Sequence, residues 1–230
     1  MTTTDPLDLR PMAVPRVALV VLAVIGVSGD AHAERNELGL GPSLRALRTD
    51  SANALTDQSF AGPAVSYARE LGLELVPRLQ LFAAAGIAGG GVDGEMFQSM
   101  ATHVRQLSFT VGGRARYALH RLVAATARVD VGAARTSLEL DMVGRTASDH
   151  GWGAITTAAL GCELVSRMPR HASIQLGIRL ELGYVATTAV SLTPRVANGD
   201  DTIELPAMES PIGQLSLSGP SFDLVVFSRF

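Results

Sequence analysis

Four stretches of this chain keep their apolar residues on a single parity for ten residues or more, and this limits the fold more than any other feature. From Leu73 to Ala88, Leu73, Leu75, Leu79, Leu81, Ala83, Ala85 and Ile87 share one parity, while Glu74, Arg78 and Gln80 fall on the other. From Gln106 to Leu119, Leu107, Phe109, Val111, Ala115, Tyr117 and Leu119 oppose Gln106, Ser108, Thr110, Arg114 and Arg116. Val123 to Ala133 sets Val123, Ala125, Ala127, Val129 and Val131 against Thr126, Arg128 and Asp130. Ala172 to Tyr184 sets Ile174, Leu176, Ile178, Leu180, Leu182 and Tyr184 against Ser173, Gln175, Arg179 and Glu181. Successive strand side chains point to opposite faces, so each segment has one apolar and one polar face. A helix would scatter the same leucines around its circumference, so period two selects strands.

Weaker alternations at Leu38 to Ala46, Pro63 to Leu71, Trp152 to Leu164 and Ser221 to Phe230 bring the expected strand count to eight. Glu163 and Asp223 lie on the polar parity of the last two. Three joints read as tight: Leu71-Gly72-Leu73, Leu119-His120-Arg121, and Arg167 to His171. Four read as longer loops: Thr49 to Phe60, Gly89 to His103, Arg135 to Gly151, and Thr193 to Gln214, which hold Gly89-Gly90-Gly91 and Asn198-Gly199-Asp200-Asp201. Short turns alternating with long loops is the pattern of a transmembrane barrel, with both termini on the short-turn side.

The N-terminal region supports export. Arg10 and Arg16 precede an apolar run from Val17 to Val27, followed by Ala31-His32-Ala33. A basic region, a short apolar core and small residues two apart describe a secretory signal peptide, expected to span 1–33 with Ala31 and Ala33 at its cleavage site. The run is too short to span a bilayer as a helix, which needs roughly 20 residues. Asp5 and Asp8 dilute the charge before it, so Met12 is an alternative start to Met1. The barrel domain is expected over 34–230, with no periplasmic domain after Phe230.

Composition narrows the chemistry. A formal net charge of −3 with sparse, balanced charges argues against nucleic acid as a partner. One cysteine, Cys162, excludes an internal disulfide framework. His103, His120, His150 and His171 are scattered, with no pair spaced to ligate a metal from one helix face. Gly89 to Gly94 lacks the Gly-Lys-Ser/Thr ending of a phosphate loop. Ser148-Asp149-His150 holds the residue types of a nucleophilic triad, but adjacency is not triad geometry. No catalytic, cofactor or metal residue is expected, and no enzymatic activity.

The terminal segment Ser221-Phe222-Asp223-Leu224-Val225-Val226-Phe227-Ser228-Arg229-Phe230 resembles the last strand of bacterial outer-membrane barrels. The mature chain resembles the small barrels of the OmpA, OmpX and OmpW type. That resemblance implies an eight-stranded antiparallel up-and-down barrel in the outer membrane, with lipid and lipopolysaccharide around it. It also implies that Phe222 and Phe230 are read by the barrel-assembly machinery. Some barrels of this size are lipid A deacylases with a paired His and Ser, a pairing missing from the C-terminal strands here.

Alternation alone leaves two barrels open: a soluble lipocalin-like binder with an apolar interior, and a membrane barrel with apolar residues outside. The export signal, terminal Phe230, loop rhythm and mid-strand charges favour the second. Arg78, Arg114, Arg116, Arg128, Asp130, Glu163, Arg179, Glu181 and Asp223 are then expected to point into the lumen, because arginine facing the lipid midplane costs roughly 2–4 kcal/mol. The expected role is structural or surface-interacting, with the Thr193 to Gln214 loop making any specific contact. The alternatives are a narrow channel or carrier for small or apolar solutes, a lipid-modifying enzyme, or a soluble binder.

Overall fold

In the computed structural model, residues 36–53, 55–56, 58–73, 76–96, 100–142, 145–166, 174–196 and 213–230 are described. The expected signal peptide, with Ala31 and Ala33, lies outside them. Eight long strands form the wall: β1 (Asn36–Arg45), β2 (Phe60–Glu70), β3 (Leu79–Met96), β4 (Met100–Ala118), β5 (Val123–Met142), β6 (Arg145–Val165), β7 (Gln175–Thr187) and, after three short strands, β11 (Gly219–Arg229). Those short strands are β8 (Val190–Leu192), β9 (Arg195–Val196) and β10 (Gly213–Leu215). A single helical turn, α1 (Asp50–Asn53), sits between β1 and β2. Each long strand pairs antiparallel with its neighbour in the chain, and β11 pairs with both β7 and β1, so the sheet closes. Closure satisfies every edge, which a sheet surrounded by lipid requires.

The faces settle which barrel this is. Leu160 and Leu182, 70% and 68% exposed, point outward. Arg179, Glu163 and Glu181 on the alternate parity are buried inside. A lipocalin-like protein has the opposite arrangement.

Two expected loops are strands instead. β3 to β6 run 18 to 21 residues, and Gly89 to His103 and Arg135 to Gly151 lie largely within them. A tilted strand crosses the bilayer in about 9–11 residues, so the excess projects past the membrane. The side-chain pattern inverts where it does. On β4, outward Leu107, Phe109 and Val111 give way to outward Arg105 and His103, while inward Arg114 gives way to inward Val104. On β5, outward Val129 and Val131 give way to Arg135 and Glu139, while inward Arg128 and Asp130 give way to Leu138 and Leu140. The outer wall exchanges lipid for water, and the interior reverses with it.

The projecting part carries its own apolar core. Leu47, Ala52, Leu55, Phe60, Val92, Val104, Leu138, Leu140, Val190, Leu192, Leu215 and Leu217 cluster above the charged interior. Gly151 makes room for this roof: a Cβ there would lie 2.2 Å from Val190 Cγ1. At the seam between the first and last strands, a Cβ on Gly41 would lie 1.7 Å from the Leu224 carbonyl oxygen, so the two backbones meet only over glycine. Gly41→Ala is therefore expected to destabilise closure by about 1–3 kcal/mol, as overpacking does. Heat-modifiable gel migration would show it as a lower midpoint for the compact form.

At the opposite end, the connection before β3 is longer than the tight joint expected at Leu71-Gly72-Leu73. Leu79 N–H donates to the Val76 carbonyl at 3.1 Å, and Arg78 has φ 71°. Val76-Pro77-Arg78-Leu79 is thus a turn of the type II kind, with proline at its second position and a positive φ at its third. Arg78 belongs to that exposed turn, not to the lumen. Proline cannot donate to a sheet, so the period-two pattern stops being a strand there.

Candidate functional site

Inside the membrane-spanning half, ten ionised side chains form one connected network. Glu37 on β1 accepts from three guanidiniums: Arg114 on β4, Arg179 on β7 at 2.7 Å, and Arg229 on β11 at 2.7 Å. Arg229 also donates to Glu163 on β6 at 3.0 Å, and Glu163 accepts from Arg116 Nε at 2.9 Å. Arg179 Nε lies 2.9 Å from Glu181, which lies 2.9 Å from Arg128 on β5. Arg128 completes the chain with Asp130 at 3.1 Å and Asp223 at 2.8 Å. Five arginines face five carboxylates, so the network is formally neutral.

The sheet supplies these positions by register. β7 and β11 bring Asp223 opposite Glu181, and β6 and β7 bring Glu163 opposite Arg179. Glu37 instead reaches across the bore from β1 to Arg114 on β4. Aromatic rings support the same cations: Arg179 and Arg229 stack on Phe227 at 5.4 and 5.1 Å from its centroid, and Arg229 also lies 5.7 Å from that of Phe82.

Of the residues expected in the lumen, Arg114, Arg116, Arg128, Asp130, Glu163, Arg179, Glu181 and Asp223 are all members of this network, and Arg78 is not. Two members of the network, Glu37 and Arg229, are not among the residues expected in the lumen, and neither is Arg45, which lies outside the network. Glu37 directly precedes the first apolar residue of the β1 alternation, and Arg229 and Arg45 stand on the polar parities of their strands. Arg45 and Arg229 are legible from the parity of the Leu38 to Ala46 and Ser221 to Phe230 alternations as they stand, and Glu37 from the first of these extended by one residue. Arg45 sits above the network, donating from Nη1 to Gln106 Oε1 and the Leu217 carbonyl, each at 3.0 Å, and stacking on Phe60. It has no carboxylate partner among the described residues. A cavity of about 80 Å³ lies beside it, with Ser43, Ser66, Thr110 and Thr157 in its wall.

Phe222 points outward and Phe230 closes the strand, its N–H and carbonyl both bonded to Asn36 at 2.9 Å. Asp149 accepts from the Thr193 N–H at 2.6 Å. Ser148 and His150 take the opposite parity on β6, so strand geometry keeps Asp149 from a triad with them. Of the Thr193 to Gln214 loop, residues 197–212 lie outside the described residues.

One titratable cluster stands on the outer face of the projecting sheet. His103 Nδ1 lies 2.7 Å from Asp93 Oδ1, and its Nε2 lies 3.5 Å from Asp141 Oδ2, so the ring ties β3, β4 and β5. The Asp93 hydrogen bond, followed by the charges of Asp93, Asp141 and Glu139, raises the His103 pKa above its ordinary value. A raised folded-state pKa stabilises the tips fully below the unfolded value of about 6.5, and that contribution is lost as pH rises through the folded value. Amide protection factors at these tips, corrected for intrinsic exchange, are expected to fall about two- to fivefold across that step, the range for an exposed pair. His103→Phe should abolish the step.

A closed antiparallel sheet with an apolar outer belt, an ionised interior and a water-facing extension at one end is a transmembrane barrel of the outer-membrane type. The chain is a small member of that class, located in the outer membrane. Two crystal structures of Ail, the attachment invasion locus protein of Yersinia pestis, are similar to it at TM-scores of 0.46 and 0.48. The second contains the heparin analogue sucrose octasulfate. Identities are 11% and 10%, over 86% of this chain and 100% of each of those. The transport unit of the autotransporter AIDA-I from Escherichia coli is similar at 0.39 and 10% identity, over 93% of this chain and 96% of that one. No protein-family profile and no curated protein matches the sequence.

Proposed function

We propose that this barrel is a non-conducting envelope protein that displays a rigid four-stranded sheet, the projecting ends of β3 to β6, to the medium. The observation that carries this reading is the filling of the bore: a neutral network spanning six strands, roofed by the apolar cluster around Leu138 and Leu192. Eight strands leave an interior just wide enough for side chains, and these side chains occupy it. A solute would have to break several buried ion pairs and then displace packed leucines. The projecting sheet, by contrast, is held by continuous backbone pairing out to Met96–Met100 and Met142–Arg145, which suits a surface for contact.

Planar-bilayer recording of the refolded protein tests the first half. No steady conductance steps are expected, and a large stable pore would overturn the reading in favour of a channel. Display is tested in a Cys162→Ala background. Ser148→Cys should react with an impermeant maleimide on intact cells, whereas Leu119→Cys in the opposite turn should not.

A further inference from the structure

Just above the apolar belt, β4, β5 and β6 present an outward cationic row. Arg105 pairs across the sheet with Ser137, and Ser137 pairs with His150. One row closer to the membrane, Leu107 pairs with Arg135, and Arg135 with Trp152. Arg105, Arg135, His150 and Trp152 are all exposed on this face, and neither arginine has an ion-pair partner among the described residues. Their Cα atoms are diagonal neighbours, roughly 7–8 Å apart. Below them the wall is Phe109, Ala133 and Ala154, suited to acyl chains; above them Glu139 and the His103 cluster turn it acidic. A cationic pair thus lies at headgroup depth, with an indole of the kind that favours membrane interfaces.

We infer that Arg105 and Arg135 bind the phosphate of a phosphorylated outer-leaflet lipid headgroup, with Trp152 packed against its acyl-linked sugar. Two guanidiniums with free donors can share one phosphate, each through charge-assisted hydrogen bonds. The acidic row above restricts an anion to the membrane side of the pair. The inference rests on the orientation given under Proposed function, with the projecting sheet outside the cell.

Trp152 is the only tryptophan, so its emission reports directly on the site. The full refolded barrel in detergent would be titrated with bisphosphorylated lipid A, with enzymatically dephosphorylated lipid A, and with inorganic phosphate. The wild type is expected to prefer the phosphorylated lipid by about ten- to thirtyfold, from roughly 1 kcal/mol per arginine near a charged surface. The double variant Arg105→Gln/Arg135→Gln should lose that preference while keeping its thermal midpoint. Equal binding of the two lipids by the wild type, or a preference that survives in the double variant, would overturn the inference. Saturation by inorganic phosphate at lipid-like concentrations would overturn it too, as a small-anion site. Reversed orientation is diagnosed separately, since Ser148→Cys would then stay unlabelled on intact cells.

Discussion

Glu37→Ala is expected to lower the unfolding free energy of the barrel by about 3–5 kcal/mol, the cost of removing one partner from a buried charge pair. Glu37 is 1% exposed and accepts from Arg114, Arg179 and Arg229, which come from three other strands. Its removal leaves Arg114 without a carboxylate and weakens the hold on two more arginines in a low-dielectric interior. Arg229 retains Glu163 and Arg179 retains Glu181, which keeps the loss within one pair's range instead of three. Urea unfolding in detergent, followed by Trp152 emission, would measure the loss. A change below about 1 kcal/mol would mean that water reaches these arginines and that the bore is wetter than its packing indicates. Glu37→Gln makes a useful companion, since its amide oxygen can still accept one guanidinium hydrogen bond.

That Glu37 escaped the sequence reading while Glu163 did not shows where legibility ends. Period two identified the polar face of every long strand, because lipid outside and charge inside impose opposite demands on neighbouring residues. Glu163 lies within an alternation and is assigned by it; Glu37 lies at a strand end, where too few apolar neighbours fix the phase. The projecting ends of β3 to β6 were illegible for a second reason. Gly89-Gly90-Gly91 and the polar run after Arg135 have turn-forming composition, and the pattern reverses between Arg105 and Leu107. A reversal of this kind looks in sequence like the end of a strand, although the hydrogen-bonded ladder continues through it. Arg78 failed in the opposite sense. Its parity matched a strand, but Pro77 turned the backbone before the ladder began.

The second large effect concerns the outer wall. Leu160→Arg is expected to destabilise the barrel by about 2–4 kcal/mol in bilayers, the cost of a cation near the lipid midplane. Leu160 is 70% exposed and pairs with Leu182 on β7 and Ala127 on β5, both on the same apolar face. Ser148→Arg, six pairs along the same face and above the belt, should cost no more than about 0–1 kcal/mol. The two variants add the same charge to one face of one strand and differ only in depth. Folding measured in lipid vesicles by heat-modifiable migration would separate them. A soluble barrel would tolerate both substitutions equally, because each would place arginine in water, so equal stability of the pair would remove the membrane from the account altogether. A large penalty confined to Leu160 instead means that the same leucines that define the period-two pattern are solvated by acyl chains, and that the ionised parity is driven inward by the cost of the alternative.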